Sequence, residues 1–230
     1  MLYAVLRRAV LGVLRVVFRL QTLGVENVPV EGPVLLAANH VSFLDPAAVG
    51  AAIHRPLHFM AKTELFRVPL LGGLIRRLNA HPVDRSGSDA AALRVAVGLL
   101  RRGCALVVFP EGTRGRDDRL RPARAGAGML ATLGEAPVVP VYVAGTGRAL
   151  PRGAVLPRPT RITVAYGAPL RFDSGRGRER YQARSDEIMA AIGRLKAEVE
   201  GTAHAAVPAA GNSDHTDRRA RGALPAGQIQ

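Results

Sequence analysis

The sequence predicts an α/β layered domain: a central sheet, largely parallel or mixed, flanked by helices. Three observations carry this expectation. Apolar runs of strand length alternate with longer stretches of helical character. The chain has 230 residues, 48% of them hydrophobic, which suits one sizeable core, and a single globular domain is the default. Polar residues punctuate the ends of several strand-like runs, where open α/β sheets place their ligand sites.

Taken in order, the first twenty residues read as a helix, with Arg8, Arg15 and Arg19 falling in one narrow sector beside Gly12 and Arg7 standing off to one side. Leu, Val and Phe fill most other positions, which describes a helix lying in a membrane interface; the arginines interrupt any run long enough to span. Two other readings stay open, a signal peptide without a convincing cleavage pattern and an amphipathic helix covering the protein's own core. Strands are expected at residues 34–38, 57–61, 105–109, 138–143 and 162–166, with a short run at 80–83. Helices are expected over 46–53, 64–78, 88–102, 124–133 and 178–200, with Gly103 and Gly134 as stop signals. From Gly201 onward Ala, Pro, Gly, Asn, Ser, Asp and Arg dominate without periodicity, the composition of a disordered tail.

The formal net charge is +14, nearly all of it outside that tail, and the surface therefore seeks anionic partners: nucleic acid, anionic lipid or a phosphorylated substrate. Few aromatics, two lysines among 32 basic residues and no known binding motif argue against nucleic acid, which stays the distant alternative. Cys104 is the sole cysteine, which excludes an internal disulfide and any multi-cysteine metal site; its apolar run predicts burial. Six scattered histidines form no metal-ligand cluster, and no phosphate-loop or dinucleotide glycine motif is present.

The most informative segment runs from Asn39 to Asp45. His40 follows the apolar run 34–38, and Asp45-Pro46 is a good N-cap and first-turn pair for the next helix. On a continuous helix five residues turn through about 500°, so a bend is needed to bring His40 and Asp45 together. A histidine with a carboxylate in reach is a general base near neutral pH. Alone, the segment reads equally well as a loop histidine beside a capping aspartate.

Three further segments decide the matter. His81-Pro82-Val83-Asp84-Arg85 ends the short run at 80–83, Phe109-Pro110-Glu111-Gly112-Thr113-Arg114 the run at 105–109, and Val138-Val139-Pro140-Val141 lies in the run at 138–143. In order and spacing, with Asn39, His40 and Asp45 as the first block, they resemble the glycerolipid acyltransferases, above all the 1-acylglycerol-3-phosphate acyltransferases. Lys62-Thr63-Glu64-Leu65 and Pro69-Leu70-Leu71-Gly72 look like the family's connecting segment. Two departures stand out: Gly115 follows Arg114 where the family often has serine, and Arg124-Ala125-Gly126 holds the place of a Lys-x-Gly.

The resemblance implies transfer of a fatty acyl group from acyl-CoA or acyl-acyl carrier protein to the free hydroxyl of a lysophospholipid, without cofactor or metal. His40 would be the base and Asp45 its orienting partner. Arg85 and Arg114 are the leading phosphate ligands because a guanidinium binds phosphate oxygens bidentately, with Lys62 and Arg124 behind them. Asn39, Ser42, Glu111, Gly112, Thr113 and Pro140 would shape the site. Ser42 reads as a local hydrogen-bonding residue in its turn. Glu111 orients an arginine or a substrate hydroxyl, or else holds its own turn. Gly112 is expected at close backbone approach or positive φ, and Pro140 at an edge or bulge lining the site. The organisation expected is an interfacial helix over 1–21, an acyltransferase domain over 22–200 and a disordered tail over 201–230. The enzyme would work peripherally or monotopically on the cytoplasmic face of an anionic membrane. Other acceptors (glycerol phosphate, another lysophospholipid, a glycolipid) and thioester hydrolysis are the alternatives.

Overall fold

The computed structural model describes residues 2–83, 89–115 and 119–205. Seven strands form one sheet: β1 (Gln21–Leu23), β2 (Val34–Ala38), β3 (Leu57–Lys62), β4 (Ala80–Val83), β5 (Ala105–Val108), β6 (Val138–Ala144) and β7 (Thr163–Tyr166). Their order is β1-β7-β6-β2-β5-β3-β4, parallel throughout except where β7 runs antiparallel to β6. The sheet is therefore mixed and mainly parallel. At its centre β2 is buried along its whole length, as an apolar strand covered on both faces must be.

Helices cover both faces. On one lie α1 (Leu2–Val17) and α2 (Asp45–Ala52), together with a single turn, α6 (Thr146–Ala149). On the other lie α4 (Asp89–Arg101), α5 (Gly126–Leu133) and α7 (Arg178–Ala205). Side chains of β2 alternate between the two cores, Val34, Leu36 and Ala38 facing the first and Leu35 and Ala37 the second. Near Gly128, α5 and α7 approach so closely that a Cβ there would lie 2.1 Å from the Tyr181 carbonyl oxygen, so a larger residue would drive them apart.

The N-terminal helix has three sectors. Leu14 and Phe18 are buried in the first core with Val10 and Leu11 packed against it, and Arg7 donates to the carbonyls of Ala51 and Ile53 at the end of α2, 3.0 and 2.8 Å away. Arg8 and Arg15 flank this docked face, while Leu2, Val5, Val13 and Val16 are exposed. Covering the core and presenting an apolar face outward are thus combined in one helix. No helix among the described residues is long and apolar enough to cross a membrane.

Several expected elements are corrected. The helix expected over 64–78 is two pieces, a 3-10 turn over Thr63–Arg67 and α3 (Leu71–Arg77), because Pro69 cannot supply the hydrogen bond a continuous helix needs. Between them Leu71 N–H donates to the Pro69 carbonyl at 2.7 Å and Leu70 takes φ 63°, ψ −48°. This is a γ-turn of the rare, strained hand, in backbone space that costs a non-glycine residue about 1–3 kcal/mol. The last helix continues to Ala205, five residues beyond the expected end; residues 206–230 of the expected tail lie outside the described residues. Cys104 is half-buried rather than buried, since it belongs to the turn ahead of β5 and not to the strand. Neither β1 nor α6 was expected from the sequence.

Candidate active site

His40 leaves the C-terminal end of β2 and enters a turn that its own side chains hold. Asn39, buried, both accepts from Val143 N–H at 2.7 Å and donates to Val143 C=O at 2.9 Å, locking the end of β2 to β6. One oxygen of the fully buried Asp45, Oδ2, lies 2.8 Å from His40 Nδ1 and accepts from the N–H groups of Val41 and Ser42 at 2.7 and 2.8 Å. The aspartate is the first residue of α2 rather than its cap. Leu44 holds the cap position without a side-chain bond, and the carboxylate reaches backward into the preceding turn. That direction closes the five-residue gap to His40. A carboxylate at Nδ1 fixes the imidazole proton there and leaves Nε2 as the basic nitrogen. Nothing among the described residues bonds to Nε2, and the side chain keeps 18% exposure.

The segment after β5 grips the same histidine. The rings of His40 and Phe109 stack with centroids 4.0 Å apart. Glu111, buried, accepts from His40 N–H at 3.0 Å through Oε1 and from Arg121 N–H at 3.1 Å through Oε2, while Gly115 N–H donates to His40 C=O at 2.6 Å. Both main-chain groups of His40 are therefore held by this loop. Burial raises the Glu111 pKa, against the opposing pull of its two N–H donors. Of the roles open to Glu111, its contacts are those of a residue holding its own turn and the turn of His40. Gly112 takes φ 69°, and a Cβ there would stand 2.9 Å from the Arg124 side chain.

Arg114 lies over the Phe43 ring, its guanidinium carbon 3.9 Å from the centroid, so one cation is seated directly on the histidine turn. Arg124 is exposed but placed by its N–H bond to Pro110 C=O, 2.9 Å. Lys62 is exposed at the C-terminal end of β3, on the sheet edge where His40 leaves β2 but two strands away. Arg85, with Asp84, lies outside the described residues. Ser42 is buried, donates to Leu150 C=O at 3.0 Å and accepts from Leu44 N–H at 3.3 Å, the local bonding expected of it. Thr113 is partly exposed in the loop.

Of the two settings expected for Pro140, the edge is corrected and the bulge is found: three residue steps on β6, Val138 to Val141, face four on the partner segment, Tyr166 to Leu170. Pro140 is buried on β6, an interior strand, where it pairs with Ala37 in the sheet, and Val143 is the β6 residue that reaches the site. An interior proline is tolerated because the β7 ladder stops at Val141 and resumes only at the Val138–Leu170 bridge; Pro140 falls in the gap and accepts from Gly167 N–H. Phe43 and Phe109 were not expected as site residues, although both lie inside the matched blocks.

Away from the site, His58 Nδ1 and His81 Nε2 stand 2.9 Å apart on β3 and β4. Burial lowers both pKa values, for His58 with help from His81 and Arg102, for His81 from Arg102.

A histidine–aspartate pair at the mouth of a mainly parallel sheet, gripped by a Phe-Pro-Glu-Gly-Thr-Arg loop, defines a class, and residues 19–144 match the model of the Acyltransferase family. The chain belongs to that family. Its relatives include 1-acyl-sn-glycerol-3-phosphate acyltransferases from Bacillus subtilis (31% identical, covering 63% of this chain and 70% of that protein) and, chloroplastic, from Brassica napus (34% identical, covering 57% and 39%). The matched region thus spans well under half of the plant protein's length. Among solved structures, the 1-acyl-sn-glycerophosphate acyltransferase PlsC of Thermotoga maritima is similar, with a TM-score of 0.69 and 26% identity over 85% of this chain and 81% of that one.

Proposed function

We propose that the protein transfers a fatty acyl group from a thioester carrier, acyl-CoA or acyl-acyl carrier protein, to the free hydroxyl of 1-acylglycerol-3-phosphate, giving phosphatidic acid. His40 Nε2 takes the hydroxyl proton as that oxygen attacks the thioester carbonyl, and Asp45 stabilises the resulting imidazolium. Collapse of the tetrahedral intermediate breaks the carbon–sulfur bond, and the imidazolium returns its proton to the departing thiolate. The substrate oxygen is the nucleophile, so no acyl-enzyme forms. Arg114 pairs with the acceptor phosphate, assisted by Arg85 and Arg124. Residues 1–21 bring the catalytic domain, 22–200, to the cytoplasmic face of an anionic membrane, where both lipids reside.

The observation that carries this reading is the 2.8 Å contact of His40 Nδ1 with a fully buried carboxylate, Nε2 being without a partner among the described residues and an arginine being seated on Phe43 of the same turn. The test is thiol release from one acyl-CoA against a panel of lysophosphatidate, glycerol 3-phosphate, lysophosphatidylcholine and an acylated sugar, repeated with acyl-acyl carrier protein. Lysophosphatidate should be preferred. A neutral acceptor that works better sinks the phosphate assignment, and thiol release independent of acceptor makes the protein a thioesterase.

A further inference from the structure

The chain between β3 and β4 has an outward face that the fold does not use. Its γ-turn sets Leu70 at 93% exposure, with Val68, Leu71 and Leu74 exposed beside it. The arrangement is closely packed. Gly72 N–H donates to Val68 C=O at 2.9 Å, and a Cβ on Gly72 would lie 2.2 Å from the Phe66 carbonyl oxygen, so the start of α3 is wedged against the preceding turn. A strained turn that exposes leucine instead of burying it gains nothing within the domain.

Charge indicates what covers this face. Arg67, Arg76 and Arg77 are exposed around it and Glu64 is the sole acidic residue between Lys62 and Asn79, in a chain of net charge +14. Its place in the fold points the same way. Crossovers between parallel strands are right-handed, and β3 to β4 advances across the sheet in the direction of β2 to β3, which puts the 3-10 turn and α3 on the side of α1 and α2. The turn itself follows the C-terminal end of β3, the edge from which His40 emerges.

We infer that Val68, Leu70, Leu71 and Leu74, ringed by Arg67, Arg76 and Arg77, form a second membrane-contact surface that inserts into an anionic bilayer alongside α1. The inference deepens the membrane reading above and rests on it. Two separated contacts fix the tilt of the domain as one helix cannot, and so hold the sheet edge bearing His40 toward the lipid surface. Apolar side chains enter the acyl region while the guanidinium groups pair with headgroup phosphates.

The chain contains no tryptophan, so one introduced ring is a unique reporter. In the full chain, Leu70→Trp emission should shift to the blue on vesicles of phosphatidylglycerol and phosphatidylcholine, be quenched by brominated acyl chains, and respond far less to phosphatidylcholine alone. Val16→Trp reports on α1 in parallel. A Leu70→Trp signal unmoved by vesicles that shift Val16→Trp overturns the second surface and leaves the α1 reading standing; silence from both overturns the membrane reading itself. The double variant Leu70→Ser, Leu74→Ser should lose about tenfold or more in vesicle partitioning. Its turnover of vesicle-borne acceptor should fall in step, and turnover of a soluble short-chain acceptor should not. If light scattering instead shows a dimer that this variant dissociates, a second copy of the chain occupies the face and the inference fails.

Discussion

The two ends of the site are built in opposite ways. At the base end, Asp45 and Glu111 are buried, and the His40 ring, N–H and C=O each have a partner on a neighbouring segment. At the cation end, Arg124 and Lys62 are exposed, Arg85 lies outside the described residues, and Arg114 rests on an exposed phenylalanine. The proposed mechanism divides the labour in the same way. In it, proton transfer tolerates little misplacement, so its groups are fixed by main-chain hydrogen bonds, whereas a phosphate arriving from solvent needs charges that are accessible to it.

Substitutions at the two ends should therefore fail differently. The largest effect belongs to His40→Ala, which should lower kcat by about 10² to 10⁴ while circular dichroism and melting stay those of a folded protein. Next, Arg114→Ala should raise KM for phosphorylated acceptors about 10- to 100-fold with a smaller change in kcat. Phe43→Ala should move KM in the same direction by a few-fold, with Phe43→Tyr restoring it; a change confined to kcat would erase the distinction between the ends. Glu111→Gln places an amide N–H₂ against one of two main-chain donors, so it should cost about 1–3 kcal/mol of stability by denaturant titration and lower kcat rather than raise KM.

The smallest effect lies outside both ends and serves as their control. His58 and His81 have pKa values lowered in the folded protein, so below about pH 6.5 the unfolded chain takes up protons first and stability falls with pH until the folded values are reached. A variant carrying His58→Asn and His81→Gln should flatten that slope in pH-dependent melting without altering kcat.

The sequence showed the base end well because its chemistry is contiguous: block residues bring their own turn, and strand-length apolar runs predicted every strand but β1. That strand has three exposed residues and no apolar pattern to read. What stayed hidden was direction. An aspartate before a proline looks like a cap, and only the folded turn shows its carboxylate aimed back at Val41 and Ser42. Pro140 read as an edge or a bulge residue because the proline rule is local, and the choice between them is made by the offset in the β7 ladder, which comes from residues some thirty positions away. The helix expected across Pro69 followed a periodicity that persists on both sides of a break.

If Asp45 acts through His40, a double-mutant cycle on kcat will show it. His40→Ala and Asp45→Asn should each be severe, and the double variant should be no slower than His40→Ala alone, because once the imidazole is gone the carboxylate keeps only its bonds to the Val41 and Ser42 N–H groups and no part in proton transfer. If the two losses multiply instead, Asp45 contributes independently of His40 and the assignment of the pair is wrong.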